Sequence, residues 1–211
     1  MIPLENDNIG KRICMYLGGF LIMTLGIALS VKSNLGVSPV SSIPYTMTCV
    51  WGIEMGKATI LFHAVLVLLQ VLILRKNFEI KNLLQIPVGI IFGYFTTFCN
   101  YLVSFLPNTD NLILRILMTL ASTFFVALGI FFYVPADVMP LAGEGAMLAI
   151  AQVTKKPFST IKIAFDISMV TISLVTCLVL LHRLGSVGIG TILAAFLVGT
   201  ILKGIQKVFG K

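Results

Sequence analysis

Charge is what this chain has least of. Asp, Glu, Lys and Arg make up 11 % of its 211 residues, against the roughly 25 % usual in a soluble domain. Hydrophobic residues make up 58 %, and the mean hydropathy is +1.04. No stretch is polar enough to be a soluble domain, since even the segments between the long apolar runs, 32–57 and 135–160, are mostly apolar. The motifs H-E-x-x-H, G-x-S-x-G and Walker A are missing, as is any paired-carboxylate hydrolase pattern. An enzyme, an ATP site and a bound cofactor are therefore not expected. Cys14, Cys49, Cys99 and Cys177 stand singly, with no C-x-x-C spacing, which supports neither a disulfide framework nor a metal site.

Long apolar runs are abundant. Residues 13–31, 58–74, 83–106, 112–134, 161–181 and 188–208 approach the ~20 residues that cross a hydrocarbon core. Lys11-Arg12 before the first run imitates a signal peptide. The run is longer than a signal's apolar core and further spans follow, so it reads as a retained helix. With six spans and the N-terminus inside, Lys11, Arg12, Arg75, Lys76, Lys81, Lys155, Lys156, Lys162, Lys203, Lys207 and Lys211 fall on the inner side. Only Lys32, Lys57, Arg115 and Arg183 fall outside, as the positive-inside bias requires. The net charge of +7 is thus a matter of topology, with no nucleic-acid partner implied. The expected location is a bacterial cytoplasmic membrane, multi-pass, with both termini inside.

One pattern occurs twice. Gly26-Ile27-Ala28-Leu29, a polar break and an apolar stretch at 37–50 are echoed by Gly129-Ile130-Phe131-Phe132, another break and a stretch at 141–152. The expected fold is all-α, with repeats over 13–106 and 112–208 in a single membrane domain, each with three spans and one short re-entrant or broken helix. Three crossings per copy is odd, so the copies would be inverted (3+3), the plan of many carriers. The competing count treats 37–52 and 141–154 as full crossings, giving eight spans and parallel repeats. Both are short for that at 1.5 Å per residue.

The breaks carry the polar candidates. In the first, Ser38-Pro39 marks a helix start, with Pro44 loosening that helix. Asn34, Ser38, Ser41 and Ser42 would offer polar groups to a substrate, the helix start favouring an anion; a plain amphipathic loop is the alternative. An offset of 103 residues sets Asn34 against Asp137, Ser41 against Glu144, and His63 against Asp166. Glu144, bracketed by Gly143 and Gly145, is read either as a substrate or proton site or as one half of a structural pair. Asp166 either pairs with Lys162 one turn earlier or titrates in a cavity. His63 is a coupling candidate or an interfacial histidine. Lys32 either snorkels or neutralises Asp137 or Glu144, both breaks being expected near the pseudo-two-fold axis. Asn100 adds a deep hydrogen-bonding group, and Arg115 is close enough to a helix start to reach water. Gly89, Gly93, Gly185, Gly188, Gly190, Gly199 and Gly204 suit close helix packing.

Leu25–Leu29, Leu35-Gly36-Val37-Ser38-Pro39, Ala142-Gly143-Glu144-Gly145, Lys162–Asp166 and Gly190–Gly199 together resemble the YczE/YitT group of small bacterial integral membrane proteins. The resemblance spans nearly the whole chain, implies a polytopic membrane protein, and marks Gly36, Ser38, Pro39, Glu144, Lys162 and Asp166 as signature positions. It implies no particular activity. The leading expectation is a secondary transporter of a small polar or charged solute, working by alternating access within the lipid bilayer. Protonation of Glu144 or Asp166 would couple it to protons. The rivals are a substrate-binding membrane subunit of a multi-subunit importer and a non-transporting scaffold for cytoplasmic enzymes. The sequence leaves a homodimer or partner subunits open.

Overall fold

The computed structural model describes residues 9–209, so Lys211 lies outside the described residues. Eight α-helices follow one another, with no strand among the described residues: α1 Ile9–Ser33, α2 Pro39–Trp51, α3 Met55–Leu74, α4 Gln85–Ser104, α5 Leu112–Tyr133, α6 Ala142–Thr154, α7 Phe158–Leu181 and α8 Ile189–Phe209. Six are long and apolar enough to cross a membrane. Helices α2 and α6 have 13 residues each, about 20 Å of rise at 1.5 Å per residue, short of the roughly 30 Å hydrocarbon core.

Helices α1 and α5 pack antiparallel along their whole length, through contacts spaced seven residues apart. A Cβ on Gly26 would lie 2.8 Å from the Ser122 carbonyl oxygen, and one on Gly129 would lie 2.6 Å from that of Gly19. Only glycine permits this backbone approach. Arginines close the pair at both ends. Arg12 Nε donates to the Ala136 carbonyl at 3.0 Å and its Nη2 to that of Asp137 at 2.7 Å. At the other end Arg115 Nε donates to the Ser33 carbonyl at 2.7 Å and its Nη2 to that of Asn34. Each guanidinium thus satisfies carbonyls left over where the other helix stops. Arg115 is committed to this bond pair, where the sequence suggested only access to water.

The two ends of this pair organise the rest. Helix α4 runs along α1, Phe92 stacking edge-on to Phe20 and Cys99 meeting Thr24. Helix α3 packs antiparallel to α4, with Gly56 against Gly93 and His63 against Gly89. Helix α8 lies on α5. The Arg12 end therefore gathers the 75–81 turn, Lys155, Lys156, Lys203 and Lys207, the basic residues expected inside. Apolar side chains such as Leu68, Leu72, Ile163, Ile167, Ile192 and Phe196 face outward, which suits lipid and would be an aggregation surface in water.

Packing glycines fall partly where expected. Gly93 and Gly89 lie under α3, and Gly188 and Gly190 lie against Leu35. Gly199 and Gly204 face open space, with nothing within 4 Å of an added Cβ, so they are not contact positions. Between helix backbones, Gly56 meets the Gly93 carbonyl oxygen most closely, and Gly19, Gly26 and Gly129 add the contacts of the α1–α5 crossing.

Candidate functional site

Helices α2 and α6 position the polar groups. Asn34 and Asp137 end the α1 and α5 helical runs in left-handed conformation, with φ of 51° and 47°, a region that Asn and Asp tolerate better than most residues. Their carbonyls sit under Arg115 and Arg12 at opposite ends of α1, about 30 Å apart by helical rise. From these ends two extended segments enter the molecule. They reach Ser38 (φ −59°, ψ 153°) and Leu141 (φ −61°, ψ 153°), after which α2 and α6 begin. The two helix starts adjoin, with Val40 Cγ1 3.4 Å from where a Cβ on Gly143 would stand. Helix α2 then runs parallel to α7, Ser42 meeting Ser173 at 2.9 Å and Thr46 meeting Ser186 at 2.6 Å. Helix α6 runs along α3, Gln70 Nε2 donating to the Ala142 carbonyl at 3.2 Å and to Gln85 at 2.8 Å. Each short helix begins near the middle and leaves through the end from which its segment entered.

The expectation that both breaks converge is corrected in part. Helix starts meet, but Asn34 and Asp137 do not. Nor does Lys32 neutralise Asp137 or Glu144: it closes α1 at the Arg115 end, about 30 Å from the Arg12 end that binds Asp137. Around the helix starts the middle is apolar, formed by Phe62, Leu66, Ala142, Ala146 and Phe165, with Val40 and Ile43 packed on them. The serine hydroxyls are taken up internally. Ser38 donates to Ser41 at 3.0 Å without capping a backbone N–H, and Ser42 donates to the Pro39 carbonyl at 2.6 Å. Asn100 is turned back to the Thr96 carbonyl of its own helix, at 2.8 Å.

Glu144 is different. It lies in the first turn of α6, where the helix dipole favours a negative charge. Tyr133 donates its hydroxyl to Glu144 Oε2, while Oε1 has no hydrogen-bond partner among the described residues. Tyr133 is in turn held by Tyr16, ring centroids 5.9 Å apart, and Tyr16 donates to the Met139 carbonyl at 2.7 Å. Glu144 faces a cavity of about 310 Å³ lined by Ile130, Phe131, Val134 and Pro135 of α5 and its exit, Leu148 of α6, Phe158 of α7, and Leu202 and Gln206 of α8. The cavity lies towards the Arg12 end, where α7 and α8 hardly touch each other.

The corresponding space in the first half is filled. Subtracting 103 from Ile130, Val134, Leu148 and Phe158 gives Ile27, Val31, Tyr45 and Met55, which join one hydrophobic cluster. There α3 and α4 are tightly packed, and Glu54 both caps α3 and accepts from the Thr97 hydroxyl at 3.0 and 3.1 Å.

Asp166 and Lys162 form the intrahelical pair, at 2.7 Å, leaving Asp166 Oδ1 buried without a partner. His63 is buried within the protein, between α3 and α4. It is 4 % exposed, stacked on Phe92 at 5.6 Å, with Nδ1 unpartnered. The structure does not bring Asp166 or His63 into the Glu144 cavity. Tyr133, Tyr16, Arg12, Gln70 and Glu54 were missed. Arg12 and Arg115 stand 103 residues apart, a signal that was available; tyrosines in apolar runs gave none.

Six crossing helices with buried polar ties and an apolar exterior define a multi-pass membrane protein. The model of a family of unknown function, DUF6198, matches residues 10–207, and the chain belongs to that family. Over 193 residues it is 24 % identical to the uncharacterized membrane protein YczE of Bacillus subtilis (strain 168), covering 91 % of this chain and 84 % of that protein. The chain is thus a YczE/YitT-like protein of the bacterial inner membrane. No solved structure matches it.

Proposed function

We propose that the two halves are inverted repeats and that the protein is a secondary carrier in which they exchange conformations around the α2 and α6 starts. The observation that carries this reading is the unequal state of two equivalent places. Leu148 and Phe158, at the cavity towards the Arg12 end, are 49 % and 40 % exposed beside separated α7 and α8, whereas their counterparts Tyr45 and Met55 join the core beside packed α3 and α4. The antiparallel packing of α1 and α5 at the 103-residue offset supports this reading, since inverted repeats related by an axis in the membrane plane would pack so. The basic residues assign the Arg12 end to the cytoplasm, so this conformation is inward-open. Exchange would close α7 on α8 and part α3 from α4 at the Glu54–Thr97 contact. The α1–α5 pair, pinned at both ends, is the fixed element. Glu144 is the group that meets solute or proton.

Cysteine accessibility tests this. In a cysteine-free background, Phe158→Cys should react with a membrane-impermeant maleimide from the cytoplasmic side and Met55→Cys should resist it from outside. Cross-linking Phe158→Cys to Leu202→Cys should then raise the outside reactivity of a methanethiosulfonate-accessible probe at Thr97 severalfold. An unchanged rate at Thr97 overturns the exchange. The dry apolar middle favours a second reading, a rigid scaffold with its polar groups paired off, and that reading predicts the unchanged rate.

A further inference from the structure

We infer that the Glu144 cavity is a binding site for a small organic cation, a protonated or quaternary amine with an apolar body. Its wall is almost wholly hydrocarbon, interrupted by one carboxylate and by the amide of Gln206, with the rings of Phe131 and Phe158 at its sides. An apolar space with a single ionisable acid selects for charge of the opposite sign, because nothing else there replaces the water lost by an entering ion. Aromatic faces add attraction for a weakly hydrated cation and none for an anion.

The neighbouring charges leave this vacancy unfilled. Lys162 is near enough to act on Glu144 electrostatically, yet its ammonium is bonded to Asp166. With Glu144 ionised, the group of three carries one negative charge in excess, which an entering cation would balance. Tyr133 occupies Oε2 and fixes the carboxylate's orientation, leaving Oε1 as the acceptor. About 310 Å³ is at the small end of the usual range for ligand pockets, room for a compact monoamine and not for a bulky dye or a peptide. In the first half Ser41 stands where Glu144 does in the second, and the space is filled, so the cation site is single.

This inference specifies the solute of the carrier reading, but binding does not depend on transport. The test is equilibrium binding of radiolabelled benzyltrimethylammonium to the full chain in nanodiscs, with phenylacetate as the anion of similar size. Saturable binding of the cation is expected, competed by unlabelled benzyltrimethylammonium and not by phenylacetate. Glu144→Gln should weaken it about tenfold or more, as expected for loss of a desolvated charge partner. Leu148→Trp, which fills the cavity and keeps the carboxylate, should abolish it. Both variants are compared with the parent by size-exclusion profile, and Glu144→Asp, retaining the charge, should restore part of the affinity if Glu144→Gln elutes abnormally. No saturable binding, equal binding by Glu144→Gln, or preference for phenylacetate overturns the inference. Binding that behaves as expected, with no change in Thr97 reactivity on closing the cavity, leaves the cation site standing and removes the carrier reading.

Discussion

At the scale of single residues, the polar groups inside this protein divide into those that finish helices and those with capacity to spare. Asn34 and Asp137 looked like ligands because polar side chains in the breaks of a membrane chain invite that reading. Their left-handed φ gives another reason for their identity, since Asn and Asp stop a helix where most side chains would be strained. Arg12 and Arg115 cover the carbonyls so exposed. Hydrogen bonds from charged donors contribute about 1.5–3 kcal/mol each, and their loss leaves carbonyls without partners at the end of a closely packed pair. Arg12→Ala and Arg115→Ala should each lower the thermal unfolding midpoint in detergent, by several degrees and to similar extents. A large loss in one and none in the other would show that the ends are not equivalent. Glu144 is legible in sequence as an intramembrane acid, and its burial against Tyr133 is not. The tyrosine precedes it by 11 residues across a break whose path no local pattern reveals.

Among the elements, the six long helices could be read from apolar length alone, and the start of α2 from Ser38-Pro39. The second short helix starts at Ala142 without a capping side chain, and only the 103-residue offset points to it. What the pattern could not give is which glycines matter. The chain has 18 glycines, and those at a two-helix crossing look no different from those facing lipid. Contact geometry separates them. Gly26→Ala and Gly129→Ala would drive a methyl into backbone of the opposite helix, a strain of about 1–3 kcal/mol by analogy with overpacked cores. Gly199→Ala has open space around it. The first two variants should lose monodisperse protein or melt lower, while Gly199→Ala should match the parent. Equal behaviour of all three would contradict the α1–α5 packing.

On the scale of the whole molecule, the account rests on likeness and unlikeness between halves. Helix boundaries of α2 and α6, both arginine clasps and the left-handed turns at Asn34 and Asp137 recur at one offset, yet α3 and α4 are closed where α7 and α8 are parted. If the halves are inverted repeats, as proposed, their unequal packing is what two interchangeable conformations of similar energy would produce. The repeated pattern suggests the two halves and the count of spans suggests their inversion, but the asymmetry is not legible, because Ile27 and Ile130 are alike in type while the first is buried and the second only partly so. The most direct measurement is pulsed electron–electron distance between spin labels in nanodiscs, one pair at Leu61 of α3 and Tyr94 of α4, another at Ile167 of α7 and Phe196 of α8. The account predicts two populations in each pair, with a saturating cation or the Phe158–Leu202 cross-link shifting the two pairs in opposite senses. A single distance in both pairs, unmoved by either treatment, would contradict it.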